Sequence, residues 1–313
     1  MNIIDRLLKT KWLRWIGTII TTSLFIWLLI QQNWALMWTS VLQIPIWIFP
    51  CAFLLYFSGI LANAGRWYLL LRTHHPQISF GKVFQILLSG NYVSNFLPST
   101  IGGDTVRIVS TSKKTGWAIS MASVVVDRLL NMFTMFLLLP FAWMMFRESQ
   151  QLAAWWAAPA LTTLASYQAL TIPPLSIEKI KAGIKKGLWK IRIAFGIWRN
   201  QRIVLVLALL ISLIARLSIF FGILLLSRGL GIQVTLIQVI GVGAITYFCT
   251  LLPISINGFG LREMTMSTLY VQLGATWEQA SALVVLTRFI LLVETLPGAL
   301  WVSDMLVSAK ANA

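Results

Sequence analysis

From position 203 to position 226 the chain carries a single charged residue, Arg216. At a rise of about 1.5 Å per residue, a helical run of this length crosses the roughly 30 Å hydrocarbon core of a bilayer. Residues 12–30 and 280–303 form further long apolar runs, and 124–146 is another, interrupted by Asp127 and Arg128 near its start. Charged residues make up only 11% of the chain and hydrophobic ones 58%. A soluble domain of this size has about a quarter of its residues charged. The expected class is an all-α integral membrane protein.

The formal net charge of +16 would suggest nucleic acid in a soluble protein. In a membrane protein, Lys and Arg mark the cytoplasmic loops, and near the surface each attracts anionic headgroups by about 1 kcal/mol. No nucleic-acid partner is therefore expected. Cys51 and Cys249 both lie in apolar runs and are expected to be small buried hydrophobes. His74 and His75 stand together in a loop, so no metal site is expected, and no motif calls for a cofactor. The N-terminal run resembles a signal peptide but leads into Gln31, Gln32, Asn33 and Trp34, so it is expected to remain as a first helix.

The basic residues set an expected orientation. Arg6, Lys9, Lys11 and Arg14 place the N-terminus in the cytoplasm, and the uncharged stretch 31–45 reads as an external loop. A second helix over about 46–64 returns to a loop holding Arg66, Arg72 and Lys82. From Val83 about 15 apolar residues lead to Pro98, too few to cross, and Lys113 and Lys114 again belong in the cytoplasm. A re-entrant hairpin broken at 98–103 satisfies both constraints, and such backbone must face protein or a wet cavity. Helices over about 119–141 and 152–170 follow. Residues 176–202 then carry eight basic residues against Glu178, with Ile180, Ile184, Leu188 and Ile191 at helical spacing. That segment reads as an interfacial amphipathic helix or a solvated loop, and as a possible docking point for a soluble partner. After the 203–226 crossing, a second short run, 237–252, ends at Pro253, and a last helix over 280–303 leads to a cytoplasmic tail. In all, about six full crossings and two broken hairpins are expected.

The two broken segments resemble each other. LPSTIGGDTVR (97–107) and LPISINGFGLR (252–262) both place arginine nine residues after proline. Trp117 and Arg128 share the spacing of Trp277 and Arg288, and Arg72 and Ser79 that of Arg228 and Thr235. Residues 46–143 and 203–303 thus read as two copies of a helix–hairpin–helix unit. Residues 1–45 precede them, 144–202 connect them, and 304–313 form a tail. The expected topology makes the copies inverted, an arrangement in which transporters place a site at the repeat interface.

A charge at the centre of a membrane helix costs at least about 2.5–3.5 kcal/mol and so marks a cavity or a partner. Arg107, Arg128, Arg262 and Arg288 are related by the repeat and are the candidate headgroup-binding residues. Ser99, Thr100, Gly102 and Gly103 precede a half-helix whose free N–H groups suit an anion, and arginine's planar fork suits phosphate. Asp104, Asp127 and Glu263 would hold the arginines, bind a cationic headgroup or relay protons. Arg216 and Glu294, outside the repeated motifs, read as structural pairing residues. No catalytic motif is present: HExxH, GxSxG and GxxxxGK are all missing.

NFLPSTIGGDTVR (95–107), ASVVVDRLL (122–130) and LPISINGFGLRE (252–263) resemble the lysylphosphatidylglycerol synthase transmembrane-region family. This is the flippase-like membrane domain of the multiple peptide resistance factor. The resemblance covers nearly the whole chain and implies the lipid-translocating part without the aminoacyl-transferring domain. It implies functional charges at Asp104, Arg107, Asp127, Arg128, Arg262 and Glu263. Arg288 rests on the repeat alone. The expected function is a flippase-like transporter of an anionic phospholipid or polyprenyl-phosphate-type lipid in the bacterial inner membrane. A membrane enzyme or enzyme subunit acting on a lipid-linked substrate is the alternative, as is a scaffold recruiting a soluble lipid-modifying enzyme.

Overall fold

A computed structural model describes residues 34–96, 101–148, 196–251 and 260–302. The expected first helix (12–30), residues 97–100 and 252–259 of the hairpin tips, the 152–170 helix, most of the basic segment 176–202 and the tail lie outside the described residues.

The described chain is helical. A short helix α1 (Trp34–Leu42) precedes α2 (Ile48–Arg72), α3 (Phe80–Phe96), α4 (Ile101–Thr115) and α5 (Trp117–Glu148). The second half contains α6 (Arg202–Gly229), α7 (Leu236–Leu251), α8 (Leu261–Gln272) and α9 (Trp277–Thr295). A 3-10 turn, Leu296–Gly298, extends α9. Four stretches are long and apolar enough to cross a membrane: Ile48–Arg72, Trp117–Met145, Arg202–Gly229 and Trp277–Val302. Residues such as Ile46, Trp143, Ile203, Phe289 and Leu300 expose most of their side-chain surface, as lipid-facing residues do. The chain is an all-α membrane protein.

Each half runs long helix, short helix, short helix, long helix. The short ones, of 17 and 15 residues in the first half and 16 and 12 in the second, would rise at most about 26 Å, less than the hydrocarbon core. Local chemistry matches as well. Ser79 Oγ accepts from Lys82 N at the start of α3, and Thr235 Oγ1 accepts from Gln238 N at the start of α7. These caps satisfy otherwise orphaned first-turn donors. In both halves a left-handed glycine, Gly116 (φ 81°) or Gly274 (φ 96°), turns the chain from the second short helix towards the closing long one. Only glycine adopts that backbone without strain.

The long helices α2 and α6 run antiparallel in intimate contact. Gly229 of α6 meets Ile48 at the start of α2, and Gly222 receives the Tyr56 ring. Gly59 receives Ile219, and Arg66 further along reaches Ser212. The short helices cross over between halves. Gly241 of α7 packs on Ala142 and Met145 of α5, while Gly298 after α9 packs on the Leu88–Ser89 backbone of α3. One large apolar core contains Tyr56, Met145, Phe220, Leu226, Tyr270 and Leu283.

Three expectations need correction. The stretch 31–45 contains α1, which packs against α9, rather than only loop. The second helix does not stop near Ala64 but continues to Arg72, because the buried stripe Ile60, Ala64, Trp67 and Leu71 continues at helical spacing. Cys51 is exposed on α2 and Cys249 half-buried, so neither is the buried hydrophobe expected; both are free thiols.

Candidate functional site

The two carboxylate oxygens of Asp127 bind different arginines. Arg66 Nε lies 2.7 Å from Oδ1, and Arg107 Nη2 lies 2.8 Å from Oδ2. All three side chains are at least nine-tenths buried. An isolated charge could not remain ionised there, so the acid must hold its arginines and be held by them. Arg66 Nη1 also donates to Ser212 Oγ at 2.7 Å, and Thr134 Oγ1 donates to the same oxygen at 2.8 Å. The Arg107 guanidinium lies 4.1 Å from the Trp67 ring centroid, a close cation–π contact. Trp67 Nε1 in turn donates to Ser123 Oγ. The cluster thereby ties α2, α4, α5 and α6 together.

Arg128 occupies the edge of this cluster. Its Nε is 2.5 Å from Asp104 Oδ2, and its side chain is 45% exposed. Asp104 also lies 3.8 Å from Arg107 Nη1. In the second half, Glu263 Oε1 lies 3.8 Å from Arg288 Nη1. Arg128 and Arg288, aligned in the sequence repeat, therefore both pair with an acid on the preceding short helix.

Arg216 sits between the halves. Its Nε and Nη2 donate to Asn131 Oδ1 at 2.9 and 2.6 Å, and its guanidinium is 5.7 Å from the Tyr247 ring centroid. Arg66, Asp127 and Arg262 lie within electrostatic reach of it. Arg262 in turn acts on Arg288 and Tyr56. Among the described residues neither Arg216 nor Glu294 takes part in an ion pair, so the pairing expected of these two is not what surrounds them. Setting aside the end turns of the long helices, α9 being taken with its 3-10 turn, this leaves six arginines (66, 107, 128, 216, 262 and 288) to four carboxylates (104, 127, 263 and 294), with Asp104, Arg262 and Glu263 in the first turns of their short helices.

The glycines expected near a headgroup are placed differently from one another. Gly103 lies against α3: a Cβ there would collide with Ser94 Oγ and the Gly90 carbonyl. Its missing side chain is thus used by the helix crossing. Gly102 is half-buried near the start of α4. Ser99 and Thr100 lie outside the described residues. At the far end of the basic segment, Trp198 is fully buried and its Nε1 donates to Leu70 O and Thr73 Oγ1 at 3.1 and 3.0 Å, while Arg199 and Arg202 are exposed.

Sequence reasoning missed Arg66. The sequence reading places it in a basic loop after a helix ending near Ala64. The signal that could have found it is the continuing stripe through Trp67 and Leu71, which carries the helix past Arg66 into the interior.

Among known proteins, the family described as the lysylphosphatidylglycerol synthase TM region matches residues 14–298. No curated protein and no solved structure matches the chain.

Proposed function

Because the chain belongs to the family of the lysylphosphatidylglycerol synthase TM region, we propose that it moves an anionic lipid between the leaflets of the bacterial inner membrane. The lipid would be a phospholipid or a polyprenyl-phosphate-type lipid, and both termini would lie in the cytoplasm. The family ties the chain to membrane lipid. The observation that carries the anionic preference is Arg216: an arginine between the two halves, bonded to neutral Asn131 and stacked near neutral Tyr247. A phosphate arriving there gains a guanidinium that makes no ion pair among the described residues.

In this reading the two halves are an inverted repeat, 46–143 and 203–303, with re-entrant short helices. The antiparallel α2 and α6 and the reciprocal packing of α3 and α7 support it. The headgroup passes along the arginines between the halves while the acyl tails stay in lipid. Arg128, half-exposed at the cluster edge, makes the first contact; Arg262 and Arg288 receive the headgroup on the other side. Asp104, Asp127 and Glu263 keep the arginines oriented.

The test is reconstitution of the full chain into phosphatidylcholine vesicles carrying fluorescent phosphatidylglycerol. Loss of fluorescence to a membrane-impermeant reductant reports exchange between leaflets. Protein-dependent exchange, slowed strongly by Arg216→Ala and with the lipid chemically unchanged, is the expected result. Exchange no faster than in empty vesicles would exclude lipid movement, and chemical conversion of the lipid would mark an enzyme instead.

A further inference from the structure

Five aromatic rings run in an unbroken line along one flank of α2 and α3. The rings of Phe53 and Phe57 stack at 6.1 Å. Phe57 meets Phe84 of α3 edge-on at 6.1 Å, and Phe84 stacks on Phe80 at 6.2 Å. Phe80 returns the line to α2 by meeting Tyr68 edge-on at 5.7 Å, and the Arg72 guanidinium lies 5.7 Å from the Tyr68 ring centroid. Phe80 and Arg72 are exposed, and the other four rings are half-buried. Between Phe57 and Tyr68 the same face of α2 offers only Leu61 and Gly65, so the two rings of α3 close the interval. A Cβ on Gly65 would meet nothing within 4 Å, which leaves a hollow beside the strip.

Packing alone does not call for these rings. Counted from Arg228, which matches Arg72 in the sequence repeat, the corresponding positions of the second half are Leu209, Leu213, Leu224, Leu236 and Ile240. That half folds into the same order of long and short helices with aliphatic side chains throughout. The line of rings is thus particular to the first half.

Length and charge say what lies on it. Phe53 and Arg72 are 19 positions apart in α2, roughly 28 Å of helical rise. Arg72 ends a membrane-crossing stretch, so the strip starts at one membrane surface and passes the midplane, about 15 Å below. A phospholipid acyl chain ends near that midplane. A long polyprenyl chain does not, and its double bonds and methyl branches lie well against ring faces. At the surface end Arg72 makes no ion pair among the described residues, and exposed Lys82, in the first turn of α3, adds a second cation. No acidic residue lies between the two in the chain.

We propose that this strip binds a polyprenyl phosphate, with the chain along the rings and the phosphate on Arg72. The proposal rests on the reading of the protein as a carrier of anionic lipid and gives it a preference for the polyprenyl class over the diacyl class. The planar fork of Arg72 takes the phosphate. The chain then follows Tyr68, Phe80, Phe84, Phe57 and Phe53, and a methyl branch enters the hollow at Gly65.

The experiment uses the full-length protein in phosphatidylcholine nanodiscs and a radiolabelled long-chain polyprenyl phosphate, with unlabelled farnesyl phosphate and dioleoyl phosphatidic acid as competitors. Both competitors carry the phosphate but lack the long chain, and each should bind at least about tenfold more weakly. Arg72→Gln should weaken the polyprenyl phosphate about tenfold and leave binding of the neutral polyprenol unchanged. Phe57→Leu together with Phe84→Leu should weaken both the phosphate and the polyprenol about tenfold. Should that double variant fail to fold, Gly65→Leu decides, because its side chain grows into open space; it should fill the hollow and weaken the long chain several-fold. Equal affinity for the three phosphates, or binding unchanged in every variant, overturns the strip and leaves the anionic-lipid reading standing. Vesicle exchange of phosphatidylglycerol tests that reading by itself.

Discussion

Arg66 Nε and Asp127 Oδ1 meet at 2.7 Å although 61 positions separate the two residues in the chain. The bond joins α2 to α5, and the other oxygen of the same carboxylate takes Arg107 from α4. Two cations thus share one anion in a buried site, where Ser212 also bonds Arg66 and where Trp67 and the more distant Asp104 also contact Arg107.

Replacing Asp127 with Asn should therefore be among the most damaging single changes in the chain. It leaves Arg66 buried without its counter-ion and Arg107 with only the more distant Asp104, a loss on the order of 3–5 kcal/mol. Thermal unfolding in mild detergent reads the effect. A melting temperature equal to that of the wild type would show that the arginines find another anion.

Arg128→Ala should behave in the opposite way. Its side chain is 45% exposed and Asp104 keeps Arg107 nearby, so stability should barely change. A charged hydrogen bond to phosphate is worth about 1.5–3 kcal/mol, so binding of phosphatidylglycerol should weaken by roughly tenfold to a hundredfold. Titration with the fluorescent lipid, alongside the melting temperature, separates the two effects.

Two glycines should respond with opposite signs. A Cβ on Gly103 would strike Ser94 and the backbone of Gly90, whereas one on Gly65 meets nothing within 4 Å. Gly103→Ala should destabilise by about 1–3 kcal/mol through forced separation of α3 and α4. Gly65→Ala, inside α2, should stabilise by up to about 1 kcal/mol through helix propensity. Both are measurable as shifts in denaturation midpoint, and equal shifts would contradict the crossing at Gly90 and Gly103.

Trp198 anchors the described end of the basic segment on the C-terminal turn of α2. Trp198→Ala should cost about 3–5 kcal/mol by leaving a cavity. Trp198→Phe keeps most of the packing and gives up the two hydrogen bonds, a loss of about 1–2 kcal/mol. The difference between the two unfolding midpoints measures the packing contribution.

The described long helices were legible because membrane solubility forces long runs with few charges. The arrangement of the charges was not legible. Arg66 stands beside Gly65 at a break in hydrophobicity, and nothing within one turn shows that Asp127 will lie next to it. Arg216 and Glu294 read as pairing residues because both lie outside the repeated motifs. The fold sends one to Asn131 and buries the other with no hydrogen-bond partner for its Oε1 among the described residues, surroundings set by helix packing rather than by local sequence. Gly102 and Gly103 read alike as letters, but only the packing of α3 separates their surroundings.

Tyr56 fills the notch at Gly222, and three residues along the same helix Gly59 receives Ile219. Each helix thus lends the other a side chain and a hollow, in opposite order. Sliding α2 along α6 by a turn would empty both hollows and drive a ring into a backbone. The contact resists axial travel yet leaves angular tilt far less hindered, in the manner of a pivot. Any alternation that exposes the arginines to one leaflet and then the other has its fulcrum here, and bulk added at Gly59 or Gly222 would change the angle of swing.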